Sequence, residues 1–451
     1  MKSRMNSILM CLLIGLCFLW TGTGYMTWMY RLMVFYPAAS VDILTEVVGY
    51  FFQAMGLVCV SICMKKNLLA HKDKFFSLLM LLDLVFIILS VLATNGGSAL
   101  FFGYCMNLCH GIVAGLYLTK LVLHVNQQQR GVVFGLGYGL GSIGSYVISL
   151  IGDNNFLKSN YVLIVYTVLV ILTIVVLTFI GKSATTPTIP TPRESGLNNR
   201  IILLALFTVL LLCFVKGLGF YFPSSDLSNI SFKFELSRVF YAFSLIIAGI
   251  INDKNRKWGG VCCIATLVIP FVILALKNNV ESSFVLWILS YLLFGFFSVY
   301  RVIIFTDIAS KSDEYLFLAG LGLMVGRLGD AISALIGVEL SANPIALILI
   351  ATVGFMITIF LFINLFNKLY TPTAPAMPSK ETLLEDFQKT YQLSPREMEV
   401  FKLVIEGHSN TEIADDLFIS YNTVKFHFKN LYKKTNCSSR SELVELFRAG
   451  K

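Results

Sequence analysis

Gly249-Ile250-Ile251-Asn252-Asp253-Lys254-Asn255-Arg256-Lys257-Trp258-Gly259 sets an acid and a knot of cations between two apolar stretches, 235–251 and 258–276. An acid ending a helix, followed by packed cations, can latch neighbouring helix ends through charge–dipole and ion-pair contacts. On both sides of this loop the chain is greasy. Twelve apolar segments run at about 8–30, 43–64, 75–93, 98–123, 132–152, 161–181, 201–223, 235–251, 258–276, 283–305, 315–338 and 344–367. Each is near the roughly 20 residues a helix needs to cross a hydrocarbon core. Of the 451 residues, 56% are hydrophobic and 14% charged, against about 25% charged in soluble domains. The expected fold class is therefore an all-α membrane bundle in contact with lipid.

Lys2 and Arg4 precede the first segment. Its apolar run is long and no small-residue cleavage site follows, so it reads as a retained span and not a signal peptide. With the N-terminus inside, fifteen Lys and Arg fall in inner segments, against Arg31, Lys158, Lys233, Arg238 and Lys277 in outer loops. Positive loops resist translocation. The expected placement is a bacterial cytoplasmic (inner) membrane with both termini cytoplasmic. Nine of the ten cysteines lie in spans, and the i,i+4 pairs Cys59/Cys63 and Cys105/Cys109 read as small packing residues.

The stretch Gly181–Arg200, with Pro187, Pro190 and Pro192, divides the spans into six and six. This gives halves 1–181 and 201–369 joined by a cytoplasmic linker, 182–200. At an offset of 185 residues, Gly135, Gly137, Gly141 and Gly144 align with Gly320, Gly322, Gly326 and Gly329. Small residues at such spacings let helices approach closely in a bilayer, and the offset favours an internal duplication. Gly139-Leu140-Gly141-Ser142-Ile143-Gly144 is a literal G-x-G-x-x-G, but a dinucleotide site needs a strand before it. None is expected there. Twelve spans in two halves resemble the major facilitator superfamily, whose G-x-x-x-D-R-x-G-R-R loop is matched at Gly249, Asp253, Lys254, Arg256 and Lys257. The equivalent loop after span two, Lys65–Lys74, is basic but lacks that pattern.

Beyond Phe366 the composition changes. Pro372, Pro375 and Pro378 mark a semi-extended spacer. Ser379 could cap a helix to about Tyr391 with Leu383, Leu384, Phe387 and Tyr391 on one face. Residues 370–390 are thus a linker and connecting helix, and that helix could pack on the C-terminal segment beyond it, on a second copy, or on the bundle. From Leu393 helix signals alternate with tight turns: Ser394-Pro395 to Gly407, then about Thr411–Leu417, Ser420–Thr435 and Ser439–Arg448. Helix, turn, helix at this length is a DNA-binding layout. Val424, Phe428 and Leu431 would face inward and Lys425, Lys429 and Lys433 would line another face, while Thr423–Lys434 holds no acid. Residues 391–451 carry nine basic and eight acidic side chains, so the lysine row, not bulk charge, is the signal.

These motifs resemble the LuxR/FixJ-type helix-turn-helix family. Leu393-Ser394-Pro395-Arg396-Glu397 matches its L-T/S-P-R-E opening, and Gly407-His408-Ser409-Asn410-Thr411-Glu412-Ile413-Ala414 its G-x-S-N-K-E-I-A. Ser420 with Thr423-Val424-Lys425-Phe426-His427 matches S-x-x-T-V-K-x-H. The resemblance implies a four-helix head at 391–451 with Lys425, Phe426 and Lys429 at groove-reading positions and Thr423 and Lys433 on phosphates. Phe426 departs from the usual polar or small residue; it either meets a thymine methyl or folds back as packing. His427 reads as a hydrogen-bonded structural residue. The last helix, with Leu443, Leu446 and Phe447, is the family's usual dimer surface, so a homodimer on double-stranded promoter DNA is implied.

Ionisable groups inside spans are functional candidates by default. Asp83, Lys216, Arg327 and Asp330 stand out; Arg327 and Asp330, one turn apart, could also be a self-neutralising pair. Lys120 and Arg301, nearer inner ends, read as snorkelling. The sharper expectation is that Asp83, Lys216 and Arg327 face a central cavity and bind a polar small molecule, anions included. No nucleophile–base or metal spacing stands out, so neither an enzyme nor a cofactor is expected. The leading reading is a membrane-embedded one-component transcription regulator. The alternative is an active secondary transporter with an accessory DNA-binding head, and a ligand-free membrane anchor is a third.

Overall fold

The computed structural model describes residues 2–66, 73–151, 161–183, 199–225, 236–269, 271–272, 280–340, 343–370 and 380–449. These are helical throughout, with no strand among them. The chain divides into two compact units, Met1–Tyr370 and Thr371–Lys451. The proline-bearing spacer, the Ser379 cap and most of the 182–200 linker lie outside the described residues.

In the first unit α1 (Lys2–Leu32) is followed by a short α2 (Ala38–Asp42), a π-helical segment Ile43–Gly49 and α3 (Tyr50–Lys65), which together make the second span. Then come α4 (Asp73–Leu92), α5 (Gly96–His124), α6 (Arg130–Ile151), α7 (Tyr161–Ser183), α8 (Asn199–Ser225), α9 (Ser237–Lys254), α10 (Arg256–Ala265), α11 (Val280–Ala309), α12 (Leu321–Glu339) and α13 (Pro344–Leu369). Among the described residues, ten helical stretches are long and apolar enough to cross a membrane. The expected eighth and ninth spans correspond to α9 and α10, which fall short of that measure. Arg238, Asp253 and Lys254 dilute α9, and α10 gives way to a turn at Thr266–Leu267.

Burial explains the hydropathy. Trp20, Trp28, Phe134 and Phe305 are fully buried, while large side chains such as Ile345, Phe360 and Leu78 point outward. An apolar exterior is the arrangement a lipid solvent selects, since every backbone group is already paired within its helix. Because lipid is as apolar as leucine, helices hold together mainly by close packing. The glycine rows supply it. α6 packs on α1 and α9, and α12 on α8 and α3, so the fifth and eleventh spans each touch the first span of their own half and the second span of the other. A Cβ on Gly135 would run into the Leu245 carbonyl, and one on Gly322 into the Arg301 carbonyl. Of the aligned pairs, Gly135 and Gly320 each face the second span of the other half and Gly144 and Gly329 the first span of their own, whereas Gly137 and Gly141 meet α1 and their counterparts Gly322 and Gly326 meet Arg301 on α11.

In the second unit α14 (Lys380–Thr390) precedes α15 (Pro395–Glu406), α16 (Asn410–Asp416), α17 (Tyr421–Thr435) and α18 (Arg440–Ala449). Ser394 and Ser409 each form a reciprocal capping box, with Glu397 and Glu412. Gly407 takes φ 96° to end α15, and Asn436 takes φ 57° to end α17. The connecting helix packs on the head: Leu384 and Phe387 join its core, and Phe387 stacks on Phe401 at 4.6 Å and 6°.

Candidate nucleic-acid interface and membrane cavity

α16 and α17 form the helix-turn-helix. Val424, Phe428 and Leu431 are buried beneath α17, while Lys425, Lys429 and Lys433 are exposed on it. Ser420 caps α17 by accepting from the Thr423 amide at 3.1 Å, and the two hydroxyls lie 2.8 Å apart. Thr423 is half-buried at the first turn, where backbone amides also point outward. The Lys425 ammonium sits 4.8 Å from the Tyr421 ring centroid. Phe426 is 60% exposed and does not fold back into the core. His427 is half-buried; its Nδ1 has no hydrogen-bond partner among the described residues, and its ring neighbours Phe426 at 5.9 Å. The last helix differs from its expected role. Leu443 and Phe447 are buried in the head's own core, because α18 must cover Phe387 and Phe401; of its other described apolar side chains, Val444 and Leu446 are half-buried.

Two contacts position the recognition helix that sequence reading passed over. Arg440 caps carbonyls at the end of α15, donating to His408 O and Val404 O, and lies over the Phe428 ring. Lys434 donates to Glu397 at 2.7 Å and to Gln392 O at 2.9 Å. Burial acts upward on the Glu397 carboxyl, but the Lys434 hydrogen bond and the Ser394 amide outweigh it and lower its pKa. A carboxylate with a depressed folded pKa stabilises fully above its unfolded value and loses that contribution as pH falls through the folded one. The head's Tm should hold level above about pH 5 and fall below about pH 4. Glu397→Gln should lower Tm at neutral pH and flatten the acid limb in thermal unfolding followed by circular dichroism.

In the first unit a cavity of about 320 Å³ opens between the two six-helix halves. Lys216, Arg327 and Asp330 line it; Asp83 does not. Asp83 is fully buried one layer back, its carboxylate 3.5 Å from Nε2 of His110, and it is His110 that reaches the lining. Nor do Arg327 and Asp330 pair with each other. Gly326 and Gly329 let α11 and α8 come close, so Asp330 takes Lys216 at 2.6 Å and Arg301 at 3.7 Å. Arg327 instead stacks on Tyr50 at 4.3 Å. Arg301 is therefore a buried cavity residue and does not snorkel, and Lys120 is ion-paired to Asp73. Sequence reading missed Asp42, Glu46 and His110. Glu46 sits in the π-helical segment, a rare winding that recurs at functional sites.

At the end of the bundle where α13 finishes, the Gly249–Gly259 loop makes the latch its sequence suggested. Asp253 accepts from the Gly131 and Val132 amides at 2.8 and 2.6 Å, holding the N-terminus of α6 from the other half. Arg256 bonds Asp253 at 2.9 Å and Asp307 at 2.8 Å, and Arg130 lies 3.8 Å from Asp307. The Tyr370 hydroxyl donates to the same Asp307 carboxylate at 3.0 Å. Asp307, Arg130 and Tyr370 were not anticipated as one cluster. The Lys65–Lys74 loop lies partly outside the described residues.

A lysine-faced recognition helix in one unit and, in the other, a helical bundle with ten candidate spans among the described residues around a charged cavity define a helix-turn-helix regulator domain joined to a multi-pass membrane domain. Through its C-terminal domain the chain belongs to the luxR family of bacterial regulatory proteins, whose GerE model matches residues 391–447. It is similar to the spore germination protein GerE of Bacillus subtilis (strain 168), 42% identical over 67 residues that make up 15% of this chain and 90% of that one. It is also 45% identical to the oxygen regulatory protein NreC of Staphylococcus carnosus (strain TM300) over 53 residues, 12% of this chain and 24% of that one. The bundle resembles the E. coli fucose:proton symporter FucP, with TM-score 0.56 at 11% identity over 81% of this chain and 99% of that one. It likewise resembles the human organic anion transporter MFSD10, with TM-score 0.58 at 13% identity over 80% and 99%. At these identities the likeness establishes a major facilitator fold and nothing further.

Proposed function

We propose that this chain is a membrane-embedded one-component transcription regulator, held in a bacterial cytoplasmic membrane with both termini in the cytoplasm. A small molecule in the cavity would bias the bundle between two arrangements, and the head would carry that bias to a promoter. A ligand shifts such an equilibrium only by its differential affinity for the two states, and a cavity lined by both halves supports that requirement.

The observation that carries the reading is the Tyr370–Asp307 hydrogen bond. Tyr370 is the last residue of the membrane unit, and Asp307 ties the two halves together. Movement of the halves against each other must disturb Asp307, and with it the root of the chain that leads to the head. Tyr370→Phe removes only that hydroxyl. It should uncouple reporter output from ligand while leaving promoter affinity intact, as read by a promoter fusion and by titration of operator DNA. A wild-type ligand response in that variant would refute this route.

At the DNA end, Lys425 and Lys429 are proposed to reach bases, Thr423 and Lys433 phosphates, and the outward-facing Phe426 a thymine methyl, with a homodimer on the operator. Lys425→Ala should weaken specific binding by about 1–3 kcal/mol if the ammonium bonds guanine O6/N7. Lys433→Ala should weaken all sequences alike and reduce the salt slope by about one. Unchanged operator affinity in Lys425→Ala would remove its reading role. Solute uptake into vesicles distinguishes the alternative, a transporter with a regulatory head.

A further inference from the structure

The charges around the cavity are not all used on one another. Lys216 and Arg301 both converge on Asp330. Arg327 has the face of Tyr50 but, among the described residues, no carboxylate within 4 Å. Asp42 and Glu46 line the same cavity and, among the described residues, have no cation within 4 Å. A guanidinium and two carboxylates thus line one cavity without meeting.

Withdrawing charges from water is costly unless partners replace the lost hydration. An anionic ligand would serve Arg327 and aggravate Asp42 and Glu46; a cationic ligand would do the reverse. The surrounding charge argues against both. Lys216, Arg238, Arg301 and Arg327 on the lining are matched by Asp42, Glu46, Asp330 and, behind His110, Asp83. A nearly balanced site has little net field with which to attract an ion of either sign. A ligand that carries both signs, separated by a few bonds, meets every unmet group at once. Arg327 offers the planar fork that suits a carboxylate, and the two acids suit an ammonium. A volume of about 320 Å³ is at the small end for metabolite sites. Tyr138, Tyr241, Tyr291 and Phe294 supply an apolar wall for the remainder of the molecule.

We infer that the cavity binds an amino-acid-sized zwitterion, its carboxylate on Arg327 and its ammonium between Asp42 and Glu46. This rests on the sensing reading above only for its consequence at the promoter, not for the binding itself.

The test uses the full chain in lipid nanodiscs. Its Tm is measured with each α-amino acid, with the matching decarboxylated amine and with the matching deaminated acid, at equal millimolar concentration. At least one amino acid should raise Tm where neither single-charge counterpart does. Arg327→Gln, and the milder Arg327→Lys, should weaken that amino acid by at least about tenfold. The double variant Asp42→Asn, Glu46→Gln should exchange the preference and favour the deaminated acid, a gain that a misfolded protein cannot show. Equal stabilisation by the acid or the amine, stabilisation by no member of the series, or an unchanged preference in the double variant would each overturn the inference. Operator affinity in the same samples separates the two readings. If the zwitterion binds without altering DNA affinity, the ligand class stands and sensing falls. If only a single-charge solute alters DNA affinity, sensing stands and the ligand class falls.

Discussion

Asp307→Ala is expected to destabilise the membrane unit by about 3–5 kcal/mol, because it removes one partner from a buried ion network and leaves Arg130, among the described residues, without a carboxylate within 4 Å. The Asp307 side chain is 1% exposed, with Arg256 at 2.8 Å and Arg130 at 3.8 Å. Arg130 keeps the carbonyls of Val125, Val122 and Thr306, and Arg256 keeps Asp253. Neither guanidinium can leave, since both are built into helix ends, so the alanine variant strands positive charge between the two halves. Asp307→Asn retains the shape and one acceptor and should lose less. Thermal unfolding in detergent, with wild type and Arg256→Ala alongside, measures this; a wild-type midpoint for Asp307→Ala would refute it. On the proposed coupling, the same variant should also make promoter output independent of ligand, because Tyr370 loses its acceptor.

Phe387→Ala should cost the head about 3–5 kcal/mol, the usual range for emptying a buried aromatic site. Phe387 belongs to the connecting helix, outside the stretch that carries the family motifs, yet it stacks on Phe401 and meets Phe447 edge-on at 5.5 Å. Removing its ring uncovers the aromatic centre that supports both α15 and α18. It follows that a fragment beginning at Tyr391 should be markedly less stable than one beginning at Lys380, since it lacks Leu384 as well. Fully burying a large apolar side chain contributes about 1.5–3 kcal/mol, so the pair predicts a difference of roughly 3–6 kcal/mol in urea unfolding. Equal midpoints for the two fragments would show that α14 merely rests on the head.

The bundle and the head were legible in the sequence for different reasons. Spans show themselves because lipid demands unbroken apolar runs, and a row such as Val424, Phe428, Leu431 beside Lys425, Lys429, Lys433 announces a helix with two faces. The Asp253 latch was legible because acid and cations are adjacent along the chain. The hidden features depend on packing between distant segments. Arg327 and Asp330 are neighbours in sequence, yet glycine-enabled approach of α8 and α11 gives Asp330 to Lys216 and Arg301. Asp83 has the composition of a cavity residue, but one layer of packing puts His110 in front of it. Leu443 and Phe447 have the pattern of an outer apolar stripe, and only the position of Phe387 and Phe401 draws them inward. Glu46 was hidden by its winding, since no sequence pattern distinguishes a π-helical turn from the end of an ordinary span.

The depth at which Asp307 lies has a further consequence. Mobile ions weaken interactions between exposed charges beyond a distance of about 8 Å at physiological strength, but they barely reach a pair sealed from water. The lysines of α17 stand in the opposite condition, and their grip on a polyanion should decline steeply as sodium or potassium rises. A salt titration would therefore loosen the proposed DNA contact while the junction between the two membrane halves stays shut, so one inexpensive variable can dissect the two units.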